Sequence, residues 1–349
     1  MNASTDAVLD TLFLPLTGGE LTWPAAGRVL FLRARDGAVL RRFPADALVC
    51  EQSFKPEALR LERVGMTQTA RPDERFARVL VLPPRSRDEA RALFAQAISR
   101  TAEDGVVVAA AANNQGARAL QDDLERLAGP ATALSKHKCR VFRLHVQHDR
   151  VDANVLEAWA RLDAPYPIGH GLLGRSGVFS ADGIDPASRL LAEHLPGDLA
   201  GSAADLGAGG GYLALALVTR NPGLDRIDLY EAEARALELA RLNLRTVPRT
   251  LAVGYHWHDV STGLPARYDV IVSNPPFHAQ GSMDRPDIGR AFIVAAAEAL
   301  KLGGRLWMVA NRHLPYESVL DARFGTVRIV TQSQGFKIIE AVKAGGARR

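Results

Sequence analysis

Along residues 1–145, short apolar runs alternate with amphipathic stretches. RVLFL (28–32), ALVC (47–50), VLVL (79–82), VVVAA (106–110) and VFRL (141–144) have the aliphatic, β-branched content of buried strands. Between them, residues 88–100 and 115–127 read as helices, the second rich in Ala, Leu, Glu and Arg. A less periodic stretch with several Gly and Pro residues, 151–184, reads as a linker that becomes functional at its end. Alternation then resumes, with a helix from 185 to about 193, a strand near 203–204 and a helix after Gly211. A strand over 227–230 follows, and the pattern continues to Lys343. Strands alternating with helices predict layered α/β sheets, one domain over residues 1–150 and another over 185–349.

The two halves resemble one another. In the second, RYDVIVSNPPF is followed by a helix, then GGRLWMVANRHLPYESVLDARFG, then FKIIEAV. In the first, RFARVLVLPPRSR is followed by a helix, then DGVVVAAAANNQGARALQDDLERLAG, then CRVFRLH. Pro83 and Pro84 fall where Pro275 and Pro276 do, but Leu82 replaces Asn274 and Arg85 replaces Phe277. A duplication is inferred, in which the first copy kept the fold and lost the chemistry.

The chemistry is concentrated in two loops. The run 270–272 reads as a buried strand stopped by Asn274, Pro275, Pro276 and Phe277, since prolines cannot continue a ladder. At the carboxyl end of a strand in an open α/β sheet, such a loop faces the ligand. The Asn274 amide oxygen and the Pro275 carbonyl could accept both hydrogens of a planar exocyclic amine, and Phe277 could stack on its ring. That is catalysis by positioning, with no strong base needed. The second loop, DLGAGGG (205–211), joins a strand to a helix. Gly207, Gly209 and Gly211 permit a tight turn and close approach to a ligand. A dinucleotide fingerprint would place glycine where Tyr212 stands, and Asp205 would repel a pyrophosphate. Asp205 suits instead the cationic amino group of S-adenosylmethionine, and Glu231 its ribose hydroxyls. Asp259 could lie by the adenine or simply cap a turn. In the first copy, Arg33 and Arg35 stand in place of glycines, while Glu51 survives at the end of the second strand, in the place of Glu231.

Composition narrows the setting. The 349 residues are 47% hydrophobic with a formal charge of +4, which permits a polyanionic partner without requiring one. Cys50 and Cys139 form neither a metal-ligand spacing nor a disulfide framework, so no metal is expected. Neither a secretory leader nor a membrane span is expected, which predicts a cytoplasmic protein.

The motifs GVFSADGID (177–185), DLGAGGG, SNPPFH (273–278) and GGRLWMVANRHLPY (303–316) resemble those of class I S-adenosylmethionine-dependent methyltransferases. More narrowly, the chain resembles ribosomal RNA guanine-N2 methyltransferases of the RsmC type. The resemblance implies two tandem Rossmann-like methyltransferase domains, the N-terminal one degenerate and serving RNA recognition. It implies further that Phe179 covers S-adenosylmethionine, and that the acceptor is N2 of a guanine flipped out of its stack in small-subunit ribosomal RNA. A monomer acting on ribosomal RNA or on a ribosomal subunit is expected. Arg71, Arg75, Arg78, Arg85, Arg87, Lys136, His137, Lys138, Arg140 and Arg143 are candidates for the RNA surface. The alternatives are a large-subunit guanine-N2 enzyme, a DNA-adenine or protein-glutamine methyltransferase, and a non-catalytic RNA-binding assembly factor. His278 is a candidate base or an RNA contact.

Overall fold

A computed structural model describes residues 6–25, 27–71, 73–276 and 286–344. The chain divides into two units, Met1–Ala164 and Pro165–Arg349. In the first, α1 (Ala7–Leu12) and α2 (Leu14–Thr17) precede β1 (Val29–Leu32), β2 (Leu48–Glu51) and α3 (Lys55–Arg63). Then come β3 (Phe76–Val81), α4 (Arg87–Arg100), β4 (Thr101–Ala112), α5 (Ala117–Ala128), β5 (Thr132–Lys136), β6 (Cys139–His145) and α6 (Ala153–Ala160). The sheet order is β2-β1-β3-β4-β6-β5, parallel up to β4 and antiparallel beyond it. Successive strand side chains point to opposite faces, so the apolar runs feed two cores. Leu30, Leu32, Val79 and Val81 pack with Phe94 and Leu124. Phe31, Leu80 and Val108 pack with Leu9, Leu12 and Leu61.

The second unit opens with a hairpin, β7 (Tyr166–Gly169) and β8 (Leu172–Gly174). It continues through α7 (Pro186–His194), β9 (Ala200–Leu206), α8 (Tyr212–Arg220), β10 (Gly223–Glu231), α9 (Ala234–Asn243), β11 (Ala252–Trp257) and β12 (Tyr268–Ser273). The last elements are α10 (Pro286–Ala299), β13 (Leu300–Asn311), α11 (Glu317–Arg323), β14 (Thr326–Ser333) and β15 (Phe336–Val342). Its sheet runs β11-β10-β9-β12-β13-β15-β14. Apart from the outermost β11, this repeats the first sheet strand for strand, so the tandem Rossmann-like architecture expected from the sequence is the one observed. Again two cores result: Ala203, Ile227 and Val272 pack against Leu213 and Leu217, while Leu206, Ile271 and Met308 pack against Phe292 and Leu320.

Residues 151–184 are not the irregular linker that the sequence led us to expect. Asp152 caps α6 by accepting the backbone N–H of Asn154 and Val155. The helix then buries Trp159, with Val155 and Leu156 packed at its side, in the first unit's core, which is why that unit extends to Ala164. The β7–β8 hairpin is pinned on α9 by Asn243, which accepts from Leu173 N (2.8 Å) and donates to the Leu173 carbonyl (3.1 Å).

Candidate active site

Between β9 and α8 the backbone turns three times into the left-handed region, with φ of 73° at Gly207, 53° at Gly209 and 85° at Gly211. At Gly211 sterics alone also demand glycine, since a Cβ there would lie 2.6 Å from Leu244 Cδ1 and 3.1 Å from Ala240 Cβ. The loop is tied down at several points. Gly207 N donates to the Tyr230 carbonyl (2.9 Å) and Gly209 N to Glu231 Oε2 (2.7 Å). Asn243 donates to the Gly210 carbonyl (2.9 Å). The other Glu231 oxygen accepts from Glu233 N (2.8 Å). Burial pushes the Glu231 carboxyl above its ordinary range, against the two backbone N–H groups that stabilise its charge.

Over the loop lies an open cleft walled by Phe179, Ser180, Asp185, Ser188, Gly207, Gly209, Tyr212 and Asn274, among others. Phe179 is 63% exposed although large and apolar, and a Cβ on Gly209 would come within 3.9 Å of its ring. Of the residues expected from the sequence, the structure thus gathers Phe179, Gly207, Gly209 and Asn274 in one wall. Pro275 and Pro276 follow Asn274 off the end of β12. Phe277 and His278 lie outside the described residues.

Asp205, Gly211, Glu231 and Asp259 do not line this cleft. Asp205 is fully buried: its Oδ2 accepts from Ala214 N (3.0 Å), and its Oδ1 has no hydrogen-bond partner. Burial pushes its pKa up to about 7, against the Ala214 bond and with some repulsion from Glu231. Asp259 caps a short turn, accepting from the backbone N–H (3.0 Å) and hydroxyl (2.6 Å) of Ser261.

Asn274 is held by partners that sequence reading missed. Its amide nitrogen donates to Asp185 Oδ2 (3.0 Å) and to Ser188 Oγ (2.9 Å). The signal available was local: Asp185-Pro186-Ala187-Ser188 is a helix start with a capping acid and proline at the first position. Asn243 was likewise visible as a polar residue on the α9 face that carries Ala236, Leu239 and Ala240.

Strand register makes the comparison of the two copies residue by residue. Leu32 pairs with Val81 as Leu206 pairs with Ser273, so Leu82 follows where Asn274 does, as the sequence indicated. The same register places Phe31 at the position of Asp205. It corrects one assignment, because Leu32 pairs with Glu51 as Leu206 pairs with Tyr230. Gln52, not Glu51, is therefore the counterpart of Glu231. Gln52 Oε1 accepts from Phe54 N (2.9 Å), two residues on, as Glu231 Oε1 does from Glu233.

Among the described residues, no group of His, Cys, Asp and Glu is arranged to hold a metal, and no helix is long and apolar enough to cross a membrane.

Comparison with known proteins places these features in context. Residues 170–340 match the methyltransferase small domain family. The chain is 30% identical over 268 residues to the ribosomal RNA small subunit methyltransferase C of Shewanella amazonensis, covering 76% of this chain and 77% of that protein. It is 30% identical over 267 residues to the protein of the same name from Salmonella newport, covering 76% and 75%. Among solved structures it is similar to a T. thermophilus 16S rRNA N2-guanine methyltransferase, determined with S-adenosylmethionine and guanosine. The TM-score is 0.77 at 23% identity, over 98% of this chain and 93% of that one, a likeness of fold.

Proposed function

The chain belongs to the ribosomal RNA small subunit methyltransferase C family, and from that premise we propose that it methylates the exocyclic N2 amine of one guanine in small-subunit ribosomal RNA. The observation that carries this reading is the anchored Asn274 amide, beside the glycine loop in a shared cleft. Both amide hydrogens are engaged by Asp185 and Ser188, so Oδ1 is the acceptor available for an amine. Guanine N2 has its lone pair delocalised into the ring. Two acceptors, Asn274 Oδ1 and the Pro275 carbonyl, can hold its hydrogens and leave the lone pair directed out of the ring plane. Phe277 is proposed to stack on the base. The proton lost after transfer goes to water, so no strong base is required.

The residues present fit S-adenosylmethionine. Gly207 and Gly209 leave the cleft floor without side chains, and Asp205, buried at the end of β9 just before the loop, keeps one oxygen without a partner, which is proposed to face the cofactor's cationic amino group. Phe179 would cover the cofactor and Glu231 would accept from its ribose. Asp259, taken up by Ser261, is proposed only as a neighbour of the adenine. When bound, the cofactor supplies an electrophilic methyl group.

The first unit is proposed to bind RNA rather than catalyse. Several of its basic residues are already engaged: Arg87 with Asp123, Arg143 with Glu20, Arg140 with Gln121. Lys136, His137 and Lys138 stand exposed at the tip of the β5–β6 hairpin, and these are the strongest candidates for phosphate contacts. A cytoplasmic monomer completes the proposal.

Mass spectrometry of nucleosides from small-subunit RNA treated with the full chain tests it. N2-methylguanosine at one position is expected. A product methylated on adenine or cytosine, or a methylated protein glutamine, would overturn the substrate assignment.

A further inference from the structure

Asn274 and Asp185 are 89 residues apart in sequence, yet the carboxylate sits 3.0 Å from the amide nitrogen. The same Asp185 oxygen accepts the backbone N–H of Ser188 (2.7 Å), the bond that starts α7. Ser188 Oγ takes the second amide hydrogen (2.9 Å), and Ser188 is itself buried, at 7% exposure. An ionised carboxylate offers acceptors only. The Asn274 amide can therefore meet Asp185 in one sense, nitrogen inward. Turned by 180°, it would set its own oxygen against the carboxylate oxygen, repelling it at hydrogen-bond distance and leaving the amide hydrogens facing the cleft. In that sense Asn274 would present donors to an amine that is itself a donor, and productive binding would be lost.

We propose that Asp185 and Ser188 are positioning residues that lock the Asn274 amide, so that its oxygen and not its nitrogen faces the substrate amine. The inference rests on the reading that Asn274 Oδ1 accepts that amine. It assigns to the start of α7 a task that no feature of α7 alone would indicate. The Asp185 carboxylate caps a helix and, through the same oxygen, fixes the polarity of an amide that follows the last residue of β12. Neither residue need touch the reacting atoms. Both act through Asn274.

The two duties of Asp185 can be separated by substitution in the full chain. Serine is also a good helix cap, but its shorter side chain does not reach Asn274 as an obligate acceptor. Asparagine can cap and can also accept the Asn274 amide with its own oxygen. Single-turnover rates on small-subunit RNA, cofactor affinity by calorimetry and thermal melting would be measured for Asp185→Ser, Asp185→Asn, Ser188→Ala, Asn274→Ala and Asp185→Ser/Asn274→Ala.

Asp185→Ser should melt close to wild type and, at saturating cofactor, turn over about tenfold to a hundredfold more slowly, as expected for a misoriented group at a reacting centre. Asp185→Asn should recover most of that loss. Ser188→Ala should show a smaller fall, with the cap intact. In the Asn274→Ala background, Asp185→Ser should cost nothing further, because the group it orients is gone. A wild-type rate for Asp185→Ser would overturn the proposal. So would a double variant slower than Asn274→Ala by the full Asp185→Ser factor, which would mean that Asp185 acts independently of Asn274. A wild-type rate for Asn274→Ala alone would instead remove the underlying reading of the amide, and the proposal with it.

Discussion

Arg33 and Gly207 occupy the same point in two sheets, each the first residue after its strand and each in the left-handed region, with φ of 55° and 73°. The following residues make the same bond, Ala34 N to the Glu51 carbonyl and Ala208 N to the Tyr230 carbonyl. The first copy thus keeps a turn suited to glycine while holding an arginine in it, at a cost on the order of 1 kcal/mol. The Arg33 side chain is taken up in an ion pair with Glu89 at the start of α4 (2.6 Å). A turn shaped for glycine survives in a copy that no longer has the glycine.

Cofactor binding should therefore belong to the second unit alone. Calorimetry on the full chain should give one S-adenosylmethionine per chain, and Gly209→Arg should abolish binding by importing the first copy's chemistry. A stoichiometry of two, or binding retained by Gly209→Arg, would contradict this.

Asn274→Ala should separate chemistry from cofactor affinity. Loss of one preorganised acceptor typically costs about a hundredfold or more in rate. The single-turnover rate should fall by that order while the dissociation constant of the cofactor changes far less. Equal losses in both would make the loop a structural turn.

Buried Asp205 makes stability pH-dependent. Its pKa in the fold is about 7, raised from 3.8, so between those values the folded protein holds a proton that the unfolded chain has released. Stability from this group is fully present below 3.8 and is lost as pH rises towards 7. Glu231, raised in the same direction, adds to the trend. Asp205→Asn, neutral at every pH, should melt higher than wild type at pH above about 7. The difference should vanish as the medium is acidified. Thermal melts of ligand-free protein across a pH series check this, and parallel curves for the two proteins would refute it.

RNA affinity should fall steeply with salt, and Lys136→Gln/Lys138→Gln should lower the slope of log affinity against log salt by roughly one per lysine. Filter-binding titrations measure the slope. An unchanged slope would place the phosphate contacts elsewhere.

What could be read from the sequence was what is local. The apolar runs of β1, β3, β9 and β12 are buried on both faces, so composition alone marks them. The glycine loop and the Asn274-Pro275-Pro276 stop are contiguous in the chain. The strands β5 and β14 went unread because both are sheet edges whose residues are largely exposed, so neither carries the continuous apolar run of a buried strand. α6 is short and its apolar face is complete only against α4 and the first core. The grip of Asp185 on Asn274 and of Asn243 on the glycine loop depends on pairs far apart in the chain. Glu51 was misaligned with Glu231 by a single residue, an error that only strand register could expose.

The apolar replacements in the first copy act as an evolutionary ratchet. Phe31, at the position of Asp205, is fully buried, and Leu82, at that of Asn274, is 4% exposed. Restoring either polar group alone would bury it without a partner, at a cost of several kcal/mol, which is a large fraction of a domain's stability. No intermediate along the way back would bind cofactor and so regain that loss through ligand binding. With apolar side chains closed over both positions, no single substitution leads from the first domain back to a working site.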